Sequence, residues 1–436
     1  MNKRNIFLWV LYDFANSIVI VSFFLYLSQW LVIDGGLSSF WFNSIFVGST
    51  ILLLLSAPLM AAISDKIGRR KIFLNITTVG TFVFFAATAI VAQLGAQHVW
   101  AVAALYLLSQ YFYQFSFVFY NPMIEELAPL EKRGRISGLG QTVNWIGQIA
   151  GVLIALPFAS SGRIAPLLPA TIIFFILALP MMIFFKENKG ASEISDSMQP
   201  LDDPDESLRM IGTPVTHAKI TIREIREEAL GSASRFYNFL KFSPAAFFLI
   251  SFFFFNDAIL TLSNNFPIYM QKVFAVSDTS KSMMLLSILV MSAIGAYVSG
   301  WIADRIGMKR TMKIMLICWI ILIPILAATT SFAVFVVDTV AVGFLYGSIW
   351  SVTRAYLSGI LPVGEMNYGF SFYTLMERFA TFAGPLSWGL IVSSYGENSI
   401  FGYRVAALSM VAFVIVGYFF IRKIPEYAGG ATDVST

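Results

Sequence analysis

The stretch "YDFANS" (Tyr12 to Ser17) places Asp13 between the apolar runs Ile6-Phe7-Leu8-Trp9-Val10-Leu11 and Ile18-Val19-Ile20-Val21. Trp9, Asp13 and Asn16 are spaced i, i+4 and i+7, so a helix puts them on one face. A second polar stripe, Asn256-Asp257 and then Asn264, interrupts another apolar stretch. Arg354, Glu377 and Arg378 are three further charges inside apolar surroundings. An Asp at the centre of a membrane helix costs about 2.5–3.5 kcal/mol on insertion scales. Such a group must face water, a partner or a bundle interior. Two chemistries fit: capture and release of a coupled proton by a carboxylate in a low-dielectric cavity, or selection of a polar solute. Arg378 can hold a substrate carboxylate with its planar fork, or pair with Asp13 or Asp257. It cannot pair with Glu377, because adjacent helical residues point about 100° apart. The competing readings are structural: a polar contact between helices, a snorkelling side chain, or a buried ion pair.

The elements that must position these residues follow from composition. Of 436 residues, 57% are hydrophobic and 12% charged, with a mean hydropathy of +0.74. A soluble domain carries about 25% charged residues, so the chain reads as an all-α polytopic membrane protein. Twelve spans are expected at 6–33, 42–63, 72–93, 99–120, 137–158, 166–185, 244–270, 282–303, 312–329, 332–361, 368–394 and 400–421. Each is near the ~20 residues that cross ~30 Å of hydrocarbon. Both termini then share one face with most of the 29 Lys and Arg, while Arg163, Lys272, Lys281 and Arg404 fall on the other. Retention of positive charge predicts cytoplasmic termini, and the short loops fit a plasma membrane. The basic residues therefore report topology and do not call for nucleic acid as a partner. A single Cys, Cys318, excludes a disulfide within the chain, and two His are too few for a His-built metal centre. No metal or cofactor is expected. The apolar start is interrupted by Asp13 and does not read as a cleavable signal.

One segment breaks the pattern. Residues 186–243 open with "NKGASEISDSMQPLDDPDES", polar and acidic, which predicts disorder. "ITIREIREEALGSASRFYNFLKF" follows; its spacing suits an amphipathic helix on the membrane face, with an ordinary helical linker as the equal alternative. The chain divides into a six-helix bundle over 1–185, a cytoplasmic linker over 186–243, a second six-helix bundle over 244–423 and a cytoplasmic tail over 424–436. The halves share a repeat. "DKIGRRK" (Asp65 to Lys71) follows the second span and "DRIGMKR" (Asp304 to Arg310) the eighth, 239 residues apart. Ala150-Gly151 in span 5 corresponds to Ala383-Gly384 in span 11, and Asp13 in span 1 is paired with Asp257 in span 7. Gly138, Gly140, Gly147 and Gly151 allow close approach of span 5 to a neighbour. Two parallel six-span repeats meeting at a central site form a transporter plan.

The loop Asp-basic-x-Gly-x-basic-basic, present after both the second and the eighth span, resembles the signature of the major facilitator superfamily. "YDFANS", "FFFFNDAILTLSNNFPIYM" (Phe252 to Met270), "SVTRAYLSGILP" (Ser351 to Pro362) and "FAGPLSWGL" (Phe382 to Leu390) resemble its vacuole-effluxer-like branch. That branch usually has Ser-Arg-Ser where this chain has Thr353-Arg354-Ala355, and often a lone Lys near Glu377-Arg378. The resemblance implies two pseudo-symmetric six-helix bundles of the major facilitator fold and alternating access to a central cavity lined by spans 1 and 7. Asp13, Asn16, Asn256, Asp257, Asn264, Arg354, Glu377 and Arg378 would then serve as the proton or substrate site. It also implies a cytoplasmic gate of Asp65, Gly68, Arg69 and Arg70 in the first copy and Asp304, Arg305, Gly307 and Lys309 in the second. In the branch's known eukaryotic members the substrates are amino acids. The expectation is a secondary active transporter of a small polar organic solute such as an amino acid, coupled to protons, acting as a monomer in the lipid bilayer. It is not expected to be an enzyme: no nucleotide-binding loop and no cluster of metal ligands or nucleophile and base lies in the spans. The rival readings are a transporter-like sensor or scaffold without flux and a membrane-embedded enzyme. Asp338 and Glu125-Glu126 read as span-end residues with water at hand, and the 42 Phe as lipid-facing or packing groups.

Overall fold

The computed structural model describes residues 3–67, 69–127, 130–158, 161–187, 244–360, 373, 376–377 and 379–424. The expected linker helix, the tail beyond Ile424, Gly68 and Arg378 lie outside the described residues, and so does the side chain of Asp65. Within the described residues the secondary structure is helical, and eleven helices are long and apolar enough to cross a membrane.

The first half contains α1 (Lys3–Ser22), α2 (Ser39–Ile67), α3 (Arg70–Ala92), α4 (Val99–Tyr120), α5 (Leu130–Ala155) and α6 (Leu167–Phe184). The second contains α7 (Pro244–Phe274), α8 (Asp278–Ile306), α9 (Met308–Ala328), α10 (Phe332–Ile360), α11 (Ala383–Tyr395) and α12 (Ile400–Lys423). In lipid every backbone polar group must be satisfied within its own segment, which is why these apolar runs coil. Their hydroxyls turn inward as well: Ser17 donates to the Asp13 carbonyl and Thr78 to that of Leu74. Two π-helical stretches, Phe23–Leu27 and Trp30–Asp34, carry α1 onward to the face opposite the termini. Lys132, Arg133 and Arg135 fall in the first turns of α5 and not in a loop before it.

The packing repeats with a period of six helices. In the first half α1 packs on α5 and α6, α2 on α4, and α3 on α4 and α6. In the second half α7 packs on α11 and α12, α8 on α10, and α9 on α10 and α12. The halves meet reciprocally, α2 against α11 and α5 against α8. The close approaches rest on glycine. A Cβ on Gly151 would lie 3.0 Å from the Ile18 Cα, and one on Gly384 would lie 3.0 Å from the Asp257 carbonyl oxygen. Ile18 and Asp257 are thus equivalent places, 239 residues apart like the two loop motifs. This corrects the pairing of Asp13 with Asp257: Asp257 sits five residues, or ~7.5 Å, farther along its helix.

Among the described residues, the expected course of span 11 is interrupted. Phe379 is helical, Ala380, Thr381 and Phe382 turn, and helix resumes at Ala383. Pro385 explains the break. It has no N–H for the Thr381 carbonyl four residues back, and its ring crowds that carbonyl.

Candidate functional site

Asp13 and Asp257 have different surroundings. Asp13, 9% exposed, faces α5. Asn144 Nδ2 donates to its Oδ1 at 3.1 Å, and Gln148 Nε2 donates to Asn144 Oδ1 at 2.8 Å. Gly140 keeps α5 close, since a Cβ there would meet the Trp9 ring at 2.7 Å. Trp9 is itself fixed. It stacks on Tyr120 with centroids 4.7 Å apart, donates from Nε1 to the Tyr120 carbonyl, and accepts the Tyr120 hydroxyl on its own carbonyl. Asn16 is fully buried and donates to the Tyr12 carbonyl one turn back.

Asp257 is fully buried in the second bundle. Its Oδ2 accepts the Gly384 N–H at 2.7 Å, with the N–H groups of Ala383 and Phe382 beside it. It therefore caps the first turn of α11, where the break leaves N–H groups without helical partners. Asn256 is also buried, and neither of its side-chain atoms is hydrogen-bonded. Asn264 is half-buried. The neighbouring Asn265 exchanges two amide hydrogen bonds with Asn43 of α2, at 2.8 and 3.0 Å.

Arg354 brings the halves together. From α10 its Nη1 donates to Gln141 Oε1 of α5 at 3.2 Å. Tyr373 stands beside it, its hydroxyl 3.0 Å from Thr353 Oγ1 and its ring stacked on Phe252 at 4.3 Å. Asp13 of the first half and Glu377 of the second both lie within electrostatic reach of Arg354. Aromatic rings flank this group. Trp145 of α5 packs on Tyr346 and Trp350 of α10 at 5.9 and 6.4 Å, and those two meet at 4.8 Å. Among the described residues the arrangement is a cation within electrostatic reach of two carboxylates, with amides and an aromatic wall at the seam between bundles. Gln141, Asn144, Gln148 and the three rings were not among the expected site residues. Gln141, Asn144 and Gln148 are spaced i, i+3 and i+7, a polar stripe of the same kind as that in span 1.

The face opposite the termini is joined by polar contacts. Arg163, in the connection from α5 to α6, reaches Asp34 at 2.7 Å and Asp278 of the second half at 3.1 Å. Lys281, fully buried, donates to Gln29 of the first half and to Gln271 and Asp278 of its own half. Tyr26 meets Ser282 at 2.7 Å, and Ser39 donates to Glu397 at 2.6 Å. Nearer mid-depth, Thr50 meets Thr381 at 2.9 Å beside the break in span 11.

Both loop motifs lie at the termini face. Arg70 Nη1 points at the Pro122 carbonyl at 3.4 Å, and Arg69 is exposed. Asp304 is exposed, Arg305 lies 3.6 Å over the Trp301 ring, and Lys309 donates to the Ile424 carbonyl at the end of α12. Gly307 has a φ of +90°, a left-handed conformation that a side chain resists.

Comparison with known proteins agrees with this architecture. The family described as "Vacuole effluxer Atg22 like" matches residues 125–423, and "Sugar (and other) transporter" matches residues 1–192. An uncharacterized MFS-type transporter, YxiO of Bacillus subtilis, is 24% identical over 98% of this chain and 96% of its own length. Autophagy-related protein 22 of Eremothecium gossypii is 23% identical over 42% of this chain and 38% of its own. Among solved structures, nucleoside transporter NupG superposes with a TM-score of 0.68 at 13% identity, covering 97% of this chain and 99% of that one. A D-xylose-proton symporter gives 0.67 at 14% identity, covering 98% and 99%. YxiO, NupG and the D-xylose-proton symporter are transporters by name. The chain is an integral, multi-pass membrane protein of the major facilitator fold, and it belongs to the vacuole effluxer Atg22-like family.

Proposed function

We propose that this protein is a secondary active transporter that moves a small zwitterionic solute, an amino acid, by proton-coupled alternating access. One observation carries the reading: Arg354 is tied to Gln141 across the seam of the halves, with Asp13 and Glu377 in its field. A guanidinium takes a carboxylate by paired charge-assisted hydrogen bonds, and flanking carboxylates take an ammonium. A solute with both groups bridges the bundles, so its binding and the rocking of the halves are one event. Trp145, Tyr346 and Trp350 give the side chain an apolar wall with polar tips. Asp257 is assigned to the support of α11 and Asn43–Asn265 to the closed seam above the site. The loop motifs, Asp65 to Arg70 and Asp304 to Lys309, close the termini face in the opposite state, with Arg305 and Lys309 leaving Trp301 and Ile424 to do so. Cytoplasmic termini, the plasma membrane and a monomeric unit complete the proposal.

The test is exchange of radiolabelled alanine by purified protein in liposomes, challenged with propionate, ethylamine and glucose. Other amino acids should compete, whereas propionate and ethylamine, each carrying one of the two charges, should not. Competition by propionate equal to that of alanine, or absence of exchange with every amino acid, overturns the reading.

A further inference from the structure

Asp338 lies six residues into α10, ~9 Å from the start of that helix at the face opposite the termini. The sequence places it at a span end with water at hand; the structure does not. Asp338 is 4% exposed, and neither carboxylate oxygen has a hydrogen-bond partner. The adjacent Thr339 hydroxyl is 1% exposed and equally unpartnered.

Among the described residues, the groups around it do not neutralise a charge. From α7, Tyr269 is within electrostatic reach, but its hydroxyl donates to the Leu326 carbonyl at 3.0 Å. Arg404 of α12 is the cation across that ring, and its two terminal nitrogens are taken by the carbonyls of Ala328 and Thr329, each at 2.8 Å. The charged groups of α8 sit near its ends: Asp278 and Lys281 in the polar seam, Asp304 and Arg305 at the termini face. Those of α9, Lys309, Arg310 and Lys313, lie in its first two turns, also at the termini face. An isolated carboxylate withdrawn from water with no hydrogen bond costs several kcal/mol, and such a group takes a proton instead. A metal cation needs several oxygen ligands; one carboxylate and one hydroxyl supply too few.

We propose that Asp338 is a proton-binding site inside the second bundle, occupied in this closed state and loaded from the face opposite the termini. The site is separate from the Arg354 seam. Its role in coupling rests on the transporter reading above; its protonation does not. Opening of that face wets the start of α10 and frees the carbonyls that hold Arg404. The guanidinium then becomes available to the ionised Asp338 and holds it until a proton from that solution takes its place. Closing returns Arg404 to Ala328 and Thr329 and requires Asp338 to be neutral. Per cycle one proton is bound at this face, carried on Asp338 through the closed state and given up toward the termini face when that face opens, with the carbonyls and the guanidinium as the exchanging partners.

Two measurements on the full chain test this. Infrared difference spectra of the reconstituted protein, recorded with pH and without any substrate, read the carbonyl stretch of a protonated carboxyl. Asp338→Asn should lose one component of that band and Asp338→Glu should shift it. In liposomes, Asp338→Asn should keep alanine exchange at equal pH but lose accumulation driven by a pH gradient, and Asp338→Glu should restore it. An unchanged band in Asp338→Asn overturns the proton site. Gradient-driven accumulation by Asp338→Asn at the wild-type level overturns its coupling role. Failure of the wild-type protein to exchange alanine counts against the proposed solute alone, because the infrared result stands without it. If Asp338→Asn does not fold, the Asp338→Glu band decides: no shift overturns the site.

Discussion

Asp257 Oδ2 accepts the backbone N–H of Gly384 at 2.7 Å, a side chain of α7 closing the open end of α11 in the middle of the membrane. The bond exists because Pro385 breaks span 11 and leaves unpaired donors where no water is available. Asp257 thereby becomes part of the backbone of the second bundle. Asp13, in the first bundle, accepts the side-chain amide of Asn144 on the unbroken α5. Two acids that look alike in sequence do different work because only one of their partner helices is broken.

Replacing the cap separates its geometry from its charge. Asn accepts a backbone N–H about as well as Asp, while Ala cannot. Asp257→Asn should therefore fold and exchange solute near the wild-type level. Asp257→Ala should lose about 0.5–2 kcal/mol, read as a lower thermal midpoint of the detergent-purified protein. Equal midpoints for Asn and Ala would contradict the capping role.

How much of this was legible in the sequence depends on what each feature needs. The helices were legible because a membrane span is a matter of length and polarity, and the repeated "DKIGRRK" and "DRIGMKR" loops fixed the six-plus-six order. The break in span 11 was also written in the chain. Pro385 within an apolar run is a helix-ending signal, yet the run's length argued for a continuous span. The partners of Asp13 were half legible, since Gln141, Asn144 and Gln148 form a stripe on span 5. That this stripe meets span 1 and Arg354 of span 10 depends on packing between segments over a hundred residues apart. Asp338 was misread for the same reason. Nearness to a span end says nothing about whether the packing of neighbouring helices buries it.

The glycine pair Gly151 and Gly384 should behave alike. A Cβ on Gly151 meets Val21 Cγ1 at 2.5 Å, and one on Gly384 meets Asp257 Oδ1 at 2.9 Å as well as Thr261. Overpacking of this kind costs about 1–3 kcal/mol. Gly151→Val and Gly384→Val should insert into membranes at normal yield, melt earlier and lose exchange. Gly384→Val should be the more damaging, because it disturbs the cap as well as the contact. Normal exchange by either variant would show that these close approaches are not needed for rocking.

The seam at the face opposite the termini must part in each cycle if access alternates. Asn43 and Asn265 trade two hydrogen bonds there, so cysteines in their place are too far apart for a direct disulfide but are within the span of a short bis-methanethiosulfonate cross-linker. In a Cys318→Ser background, Asn43→Cys with Asn265→Cys should exchange alanine when reduced. The cross-linker should stop exchange, reductant should restore it, and the single-cysteine variants should be indifferent to both. Exchange that continues after cross-linking, verified by loss of free thiols, would mean that this seam stays shut during transport.

Arg354 provides the sharpest test of solute recognition, because its shape and its charge can be varied separately. Lys keeps the positive charge but has no planar fork to match a carboxylate. Arg354→Lys should therefore bind alanine about tenfold or more weakly, a loss of about 1.4 kcal/mol or more. Arg354→Gln, which removes the cation within electrostatic reach of Asp13 and Glu377, should not bind measurably. Trp145 and Trp350 stand in the same seam, so their fluorescence reports occupancy without any flux measurement. Gln141→Ala should weaken binding less than either, because it removes only the group that aims the guanidinium. If Arg354→Lys binds alanine as tightly as the parent, a fork on the carboxylate is not what this seam reads. Arg354, Asp13 and Glu377 would then be a structural ion network joining the halves.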